Sequence, residues 1–158
     1  PDGSYFKMPQ NGHVIIEDNV EIGANTCIDR GSMGPTILRK GVKLDNQIQI
    51  GHNVELGNNT AMAACSAIAG STKVGKDCII AGMVGIAGHL EIADNTTIGA
   101  FSGVSKSIKN AGQVYQGAVA LPIMQNKKSF AIYRNLPDLQ KQLYALQQEI
   151  ALLKEKIK

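Results

Sequence analysis

His52, Gly70 and Gly88 stand eighteen residues apart, and His89 follows Gly88 directly. If eighteen residues make one turn of a coil, these positions stack on a single edge. An imidazole is a general base at neutral pH. A glycine N–H one level away, with no side chain beside it, can face a developing oxyanion. Coils spaced like neighbouring strands, roughly 4.8 Å, put the two histidines on the order of 10 Å apart with glycine backbone between them. The competing reading makes both histidines corner residues bonded to carbonyls, a role the side chain also fills. Metal chemistry has little to build on: His13, His52 and His89 are the only histidines, and no two are four apart. No nucleophilic triad can be argued from spacing, and the glycines belong to a repeat rather than to a phosphate loop. No metal and no cofactor are therefore expected.

The coil itself comes from a six-residue period. From Leu38 every sixth residue is large and apolar: Leu44, Ile50, Leu56, Met62, Ile68, Val74, Ile80, Ile86, Ile92, Ile98 and Val104. The residue two before each is mostly β-branched or small, and the residue after it is usually glycine or alanine, as in Gly51, Ala69 and Gly75. Positions two apart share a face in a strand. A six-residue period fits neither a helix stripe nor a plain alternating strand, and it predicts a β-helix solenoid whose coils bury their apolar side only by stacking. The small residue is expected to let the backbone turn each corner.

Ile16, Ile22 and Ile28 already keep the period. It then slips, since Ile28 to Leu38 is ten residues, and the excess at Gly31-Ser32-Met33-Gly34-Pro35 predicts a loop pushed out from a corner. Asp2-Gly3 reads as a hairpin turn leading into Ser4–Met8. With no initiator methionine and a solenoid end to cover, the chain reads as the C-terminal part of a longer protein. The repeat fades at Asn110-Ala111-Gly112, which divides the chain into a β-helix over 1–112, a connecting segment over 113–135 and an amphipathic helix over 136–158. In that last stretch Leu136, Leu139, Leu143, Leu146, Ile150, Leu153 and Ile157 alternate spacings of three and four, a seam made to pack against another helix or sheet. Copies of the same chain are its expected partners, in a symmetric oligomer.

Aromatics are 4% of the chain and tryptophan is absent, so the core must be aliphatic. A net charge of +3 is too small to argue for nucleic acid. The odd count of Cys27, Cys65 and Cys78 reads as buried reduced thiols in a cytoplasmic protein. No signal peptide or membrane-length apolar run appears. The basic residues Lys127, Lys128 and Arg134 form either an ordinary solvated face or a dock for an acidic partner.

Three runs carry a resemblance: Cys27-Ile28-Asp29-Arg30-Gly31, Leu44-Asp45-Asn46-Gln47-Ile48-Gln49-Ile50-Gly51-His52-Asn53, and Ile86-Ala87-Gly88-His89. Together they resemble the UDP-3-O-acylglucosamine N-acyltransferases of lipid A synthesis, and the likeness extends through Gly117–Pro122 into the terminal helix. The resemblance implies a homotrimer of left-handed parallel β-helices with active sites in clefts between subunits. It implies that a 3-hydroxyacyl chain passes from acyl carrier protein to the 2-amine of the UDP-sugar. His52 would be the general base, Gly70 the oxyanion donor, His89 a second active-site histidine and Asn46 a substrate contact. The residue orienting His52 is left unnamed, since its neighbour Asn53 is no carboxylate. Gly103 and Phe101 would lie along an acyl groove. Two other readings stay open: an O-acyltransferase acting on UDP-N-acetylglucosamine, and a non-catalytic trimeric scaffold.

Overall fold

A computed structural model describes residues 2–118 and 120–156, which form two units, residues 1–118 and 119–158. The first is a parallel β-solenoid, the architecture of the left-handed β-helix. Its sixteen short strands run in order from β1 (His13–Ile16) to β16 (Val114–Tyr115). They fall into three sheets: A holds β1, β4, β7, β10 and β13; B holds β2, β5, β8, β11, β14 and β16; C holds β3, β6, β9, β12 and β15. Each coil therefore visits A, B and C once. Val74 pairs with Leu56 below and Ile92 above, and Ile86 with Ile68 and Val104, so one coil is eighteen residues. The first complete coil is longer. Ile16 pairs with Leu38 and Cys27 with Gln49, twenty-two residues on, because the extra residues loop out between β3 (Cys27–Ile28) and β4 (Pro35–Leu38).

From Leu38 to Ile98 every sixth residue fills the interior, while Ile16 and Ile22 near the first coil are exposed. Leu38, Ile50, Leu56 and Ile98 are wholly buried, and each such side chain contributes about 1.5–3 kcal/mol. The preceding inward column mixes Val42, Ile48, Val54 and Val84 with Thr36, Thr60, Ser66, Thr72 and Thr96, all buried. Those hydroxyls are not stranded, because they stitch successive coils together. Thr60 donates to the Gly75 carbonyl (2.8 Å) and accepts the Cys78 N–H (3.1 Å). Thr72 does the same with Ala87 and Leu90.

Several expectations need correcting. The corner is not turned by the small residue after each aliphatic. The left-handed position comes two residues later, and non-glycine side chains take it: Asn53 (φ 58°), Ser71 (63°), Met83 (58°), His89 (60°) and Phe101 (58°) among them. The small residue answers to crowding between coils instead. A Cβ on Gly57 would collide with Gly75. Only Cys78 is a buried thiol, and burial pushes its pKa up. Cys27 and Cys65 are exposed, the first on the outward strand position and the second at a left-handed corner. Ser4–Met8 forms no strand; the Ser4 N–H and hydroxyl bond back to the Asp2 carboxylate (2.9 and 2.6 Å) in a local turn. The ladder also runs past 112, because β16 pairs with β14 (Thr97–Ile98) as one more rung of sheet B.

In the second unit, the stretch expected to be a connection holds helix α1, Ile123–Arg134. Helix α2 runs over Leu136–Lys156, with Pro137 in its first turn, where the missing N–H costs nothing. Leu139, Leu143, Leu146, Ile150 and Leu153 are 43–58% exposed, so α1 leaves the seam uncovered among the described residues of this unit. Ile157 lies outside the described residues. Among those residues no helix is long and apolar enough to cross a membrane.

Candidate functional site

Stacking does the assembling. His52 follows β6 (Gln49–Ile50), Gly70 follows β9 (Ala67–Ile68) and Gly88 follows β12 (Gly85–Ile86), so all three occupy the corner between sheets C and A. His52 is half-buried and its ring lies over the Gly70 backbone. A Cβ on Gly70 would come 2.5 Å from His52 Nε2 and 2.7 Å from Cε1, so only glycine leaves room for the imidazole. The Gly70 N–H donates to no acceptor among the described residues. Gly51 keeps the approach to that nitrogen clear, since a Cβ there would stand 2.7 Å from it. A ring nitrogen and an uncommitted N–H thus share one rib of the solenoid, as the eighteen-residue spacing predicts.

These residues border an open groove along sheet C. Its outward wall is Gln49, Ala67 and Gly85, a column that shrinks coil by coil. Asp29, Gln49 and His52 are its charged or polar side chains; the first two stand in the runs that carry the resemblance but were not named as site residues from the sequence. The signal for them was register: Gln49 lies eighteen residues before Ala67 and could be counted, whereas Asp29 lies before the four-residue slip, where counting by eighteen fails.

The other expected site residues lie elsewhere. His89 holds a left-handed corner one residue beyond the column of His52 and Gly70. Its N–H donates to the Gly70 carbonyl (3.0 Å), while its side chain is exposed and does not line the groove. It therefore steadies Gly70 through the main chain. Asn46 sits at the corner between sheets B and C, the far edge of the same face from His52. Its Oδ1 accepts the Ala24 N–H (2.7 Å), tying it to the coil below. His13 stands at the start of β1 and is exposed. Among the described residues no three His, Cys, Asp or Glu side chains gather as a metal would need.

The orientation of His52 comes from Asn53. His52 Nδ1 lies 3.1 Å from Asn53 Oδ1. Carboxylate or not, a carboxamide oxygen accepts a hydrogen bond well enough to fix a ring.

No family model matches the chain. It is 48% identical over 157 residues, 98% of its length, to a protein of Janthinobacterium sp. (strain Marseille) named UDP-3-O-acylglucosamine N-acyltransferase. Proteins of the same name from Christiangramia forsetii and Herminiimonas arsenicoxydans are 52% and 46% identical over 94% and 96% of the chain. The chain spans 43–44% of the length of these three relatives. Among solved structures, a perosamine N-acetyltransferase from Caulobacter crescentus is 18% identical with a TM-score of 0.28, covering 70% of this chain and 50% of its own; that likeness is too loose to carry an argument. In sequence the chain belongs to the UDP-3-O-acylglucosamine N-acyltransferase family, of which it matches the C-terminal part.

Proposed function

We propose that this chain is the acyl-transferring part of an N-acyltransferase that moves a 3-hydroxyacyl chain from acyl carrier protein to the 2-amine of UDP-3-O-acylglucosamine. The observation that carries the reading is His52 Nε2 lying over Gly70, whose N–H has no acceptor among the described residues. The amine nitrogen attacks the thioester carbon and a C–N bond forms. Nε2 takes the proton from that nitrogen, and the oxygen of the tetrahedral intermediate meets the Gly70 N–H. Collapse breaks the C–S bond, and the imidazolium returns the proton to the departing thiolate. A donor at an oxyanion is worth about 3 kcal/mol of transition-state stabilisation. No metal or cofactor enters this sequence.

His89 fits a supporting part, holding the Gly70 carbonyl through its own N–H. Asn46, across the face, fits a substrate contact made outside the groove edge. Gly103, above Gly85 in the outward column, extends a bare track suited to an acyl chain. Lys127, Lys128 and Arg134, on α1, suit docking of an acidic carrier protein. The uncovered seam of α2 supports assembly with copies of the chain as a homotrimer, and a cytoplasmic location suits the proposed substrates.

The test is turnover of 3-hydroxyacyl carrier protein with UDP-3-O-acylglucosamine and, separately, UDP-N-acetylglucosamine. Amide formation on the first nucleotide is expected, and His52→Ala should lower kcat by roughly 10²–10⁴-fold. Ester formation on the second would give the O-acyltransferase. No turnover by the unmodified protein leaves the scaffold, and a variant keeping a tenth of the activity removes His52 as the base.

A further inference from the structure

The solenoid departs from an eighteen-residue coil at 29–34, and the excess falls on the corner directly below His52. Ser32 donates its N–H (2.9 Å) and its hydroxyl (3.0 Å) to Asn53 Oδ1. Asn53 Nδ2 donates to the Met33 carbonyl (3.1 Å). These partners admit one orientation of the carboxamide, because an amide N–H only donates and a carbonyl only accepts. The oxygen so fixed is the one 3.1 Å from His52 Nδ1. An acceptor there requires a proton on Nδ1. The neutral ring then carries its lone pair on Nε2, the atom that lies over Gly70.

We infer that the inserted loop is a tautomer lock, in which Ser32 and Met33 orient Asn53 and Asn53 keeps the His52 proton on Nδ1. The lock concerns the ring in the resting protein; only its consequence for turnover rests on His52 being the base.

Three further features of the corner serve it. The Asn53 main chain is gripped as well: its N–H donates to Thr36 Oγ1 (2.8 Å), which donates to the Asp29 carbonyl at the root of the loop (2.7 Å). In the regular coils the equivalent hydroxyls take the N–H one residue later, from Cys78, Val84 and Leu90. Gly31 is required for contact, since a Cβ there would stand 2.7 Å from Asn53 Nδ2. Gly34 turns the loop at φ +91°, where other residues are strained. Asn59 shows what the backbone position alone provides. It has the same left-handed conformation on another corner, yet its side chain makes one hydrogen bond, to Asp77 (3.2 Å).

The experiment reads the ring nitrogens of His52 by ¹⁵N–¹H correlation at a pH where the imidazole is neutral, assigned with His52→Gln. The unmodified protein should carry its proton on Nδ1. Asn53→Gly keeps the left-handed backbone and removes the carboxamide, so the proton should move to Nε2. Asn53→Asp restores an acceptor and should return it to Nδ1. Deleting residues 31–34, which makes the coil as short as its neighbours, should act like Asn53→Gly. A resting proton on Nε2, or an Nδ1 proton that survives Asn53→Gly, overturns the lock even if that deletion fails to fold. In turnover, Asn53→Gly should lower kcat roughly 10-fold or more with KM little changed, as a wrong tautomer does elsewhere. A ring that switches tautomer without loss of kcat upholds the lock and removes the base.

Discussion

The corner between sheets C and A and the corner between sheets A and B share one backbone and do different things with it. Both place a left-handed residue two beyond the small one, Asn53 and Ser71 on the first, Asn59 and Asp77 on the second. The residue just before that point separates them. On the A–B corner it is Asp18, Lys40, Asn58, Lys76 and Asp94, a solvated, mostly charged column. On the C–A corner the residues in matching register are Arg30, His52, Gly70, Gly88 and Lys106. Stripping two consecutive levels to glycine opens the backbone above a single imidazole, and a loop secures that imidazole from below. A solenoid repeats its frame at every level, so local exceptions to the repeat mark where the frame serves something other than stability.

The largest effect should come from making the corners alike. Gly70→Ala puts a Cβ where His52 Nε2 needs room, so the ring must leave the Gly70 N–H, and turnover should fall about 100-fold or more. Lys76→Ala, at the matching point of the A–B corner, should leave turnover unchanged and stability within about 0.5 kcal/mol. Equal losses from both would erase the distinction between the corners.

A smaller effect tests the third corner, between sheets B and C, where Cys65, Met83 and Phe101 occupy the left-handed position. That conformation costs a side chain of this kind roughly 1–2 kcal/mol, and asparagine tolerates it better. Met83→Asn should therefore raise unfolding stability by about 0.5–1 kcal/mol in denaturant titration. A loss would mean that the methionine packs for a reason the corner geometry does not contain.

The smallest concerns the A–B corner's own charges. Arg39 bridges Glu17 (2.8 Å) and Glu55 (2.7 Å) across three coils. The hydrogen bond from Arg39 holds the Glu17 carboxyl below its ordinary value of 4.5. A lowered carboxylate adds stability above its unfolded value and loses it as pH falls through the folded one. Arg39→Met should thus lower the thermal midpoint by a few degrees at most at pH 7, and the difference should vanish at pH values below the folded carboxyl's range. A gap that persisted in acid would assign it to lost packing of the arginine stem instead.

The period of six alone dictated the solenoid, because a column of inward aliphatics cannot be interrupted without a cavity, and Leu38 to Val104 shows no interruption. The same arithmetic brought His52 and Gly70 onto one rib, as counting by eighteen does for any such coil. Other features needed three dimensions. The turning residue is not the small one, since glycine and alanine are small there to admit the next coil. Cys27 and Cys65 face outward despite their type, because strand parity and corner position decide burial. Asn53 is legible as the partner of His52 only once the loop folds back, since Ser32 and Met33 lie some twenty residues before it and no spacing rule joins them. Periodic contacts can be read from a sequence because each repeats the last; a contact made once, between an insertion and a corner, exists only in the fold.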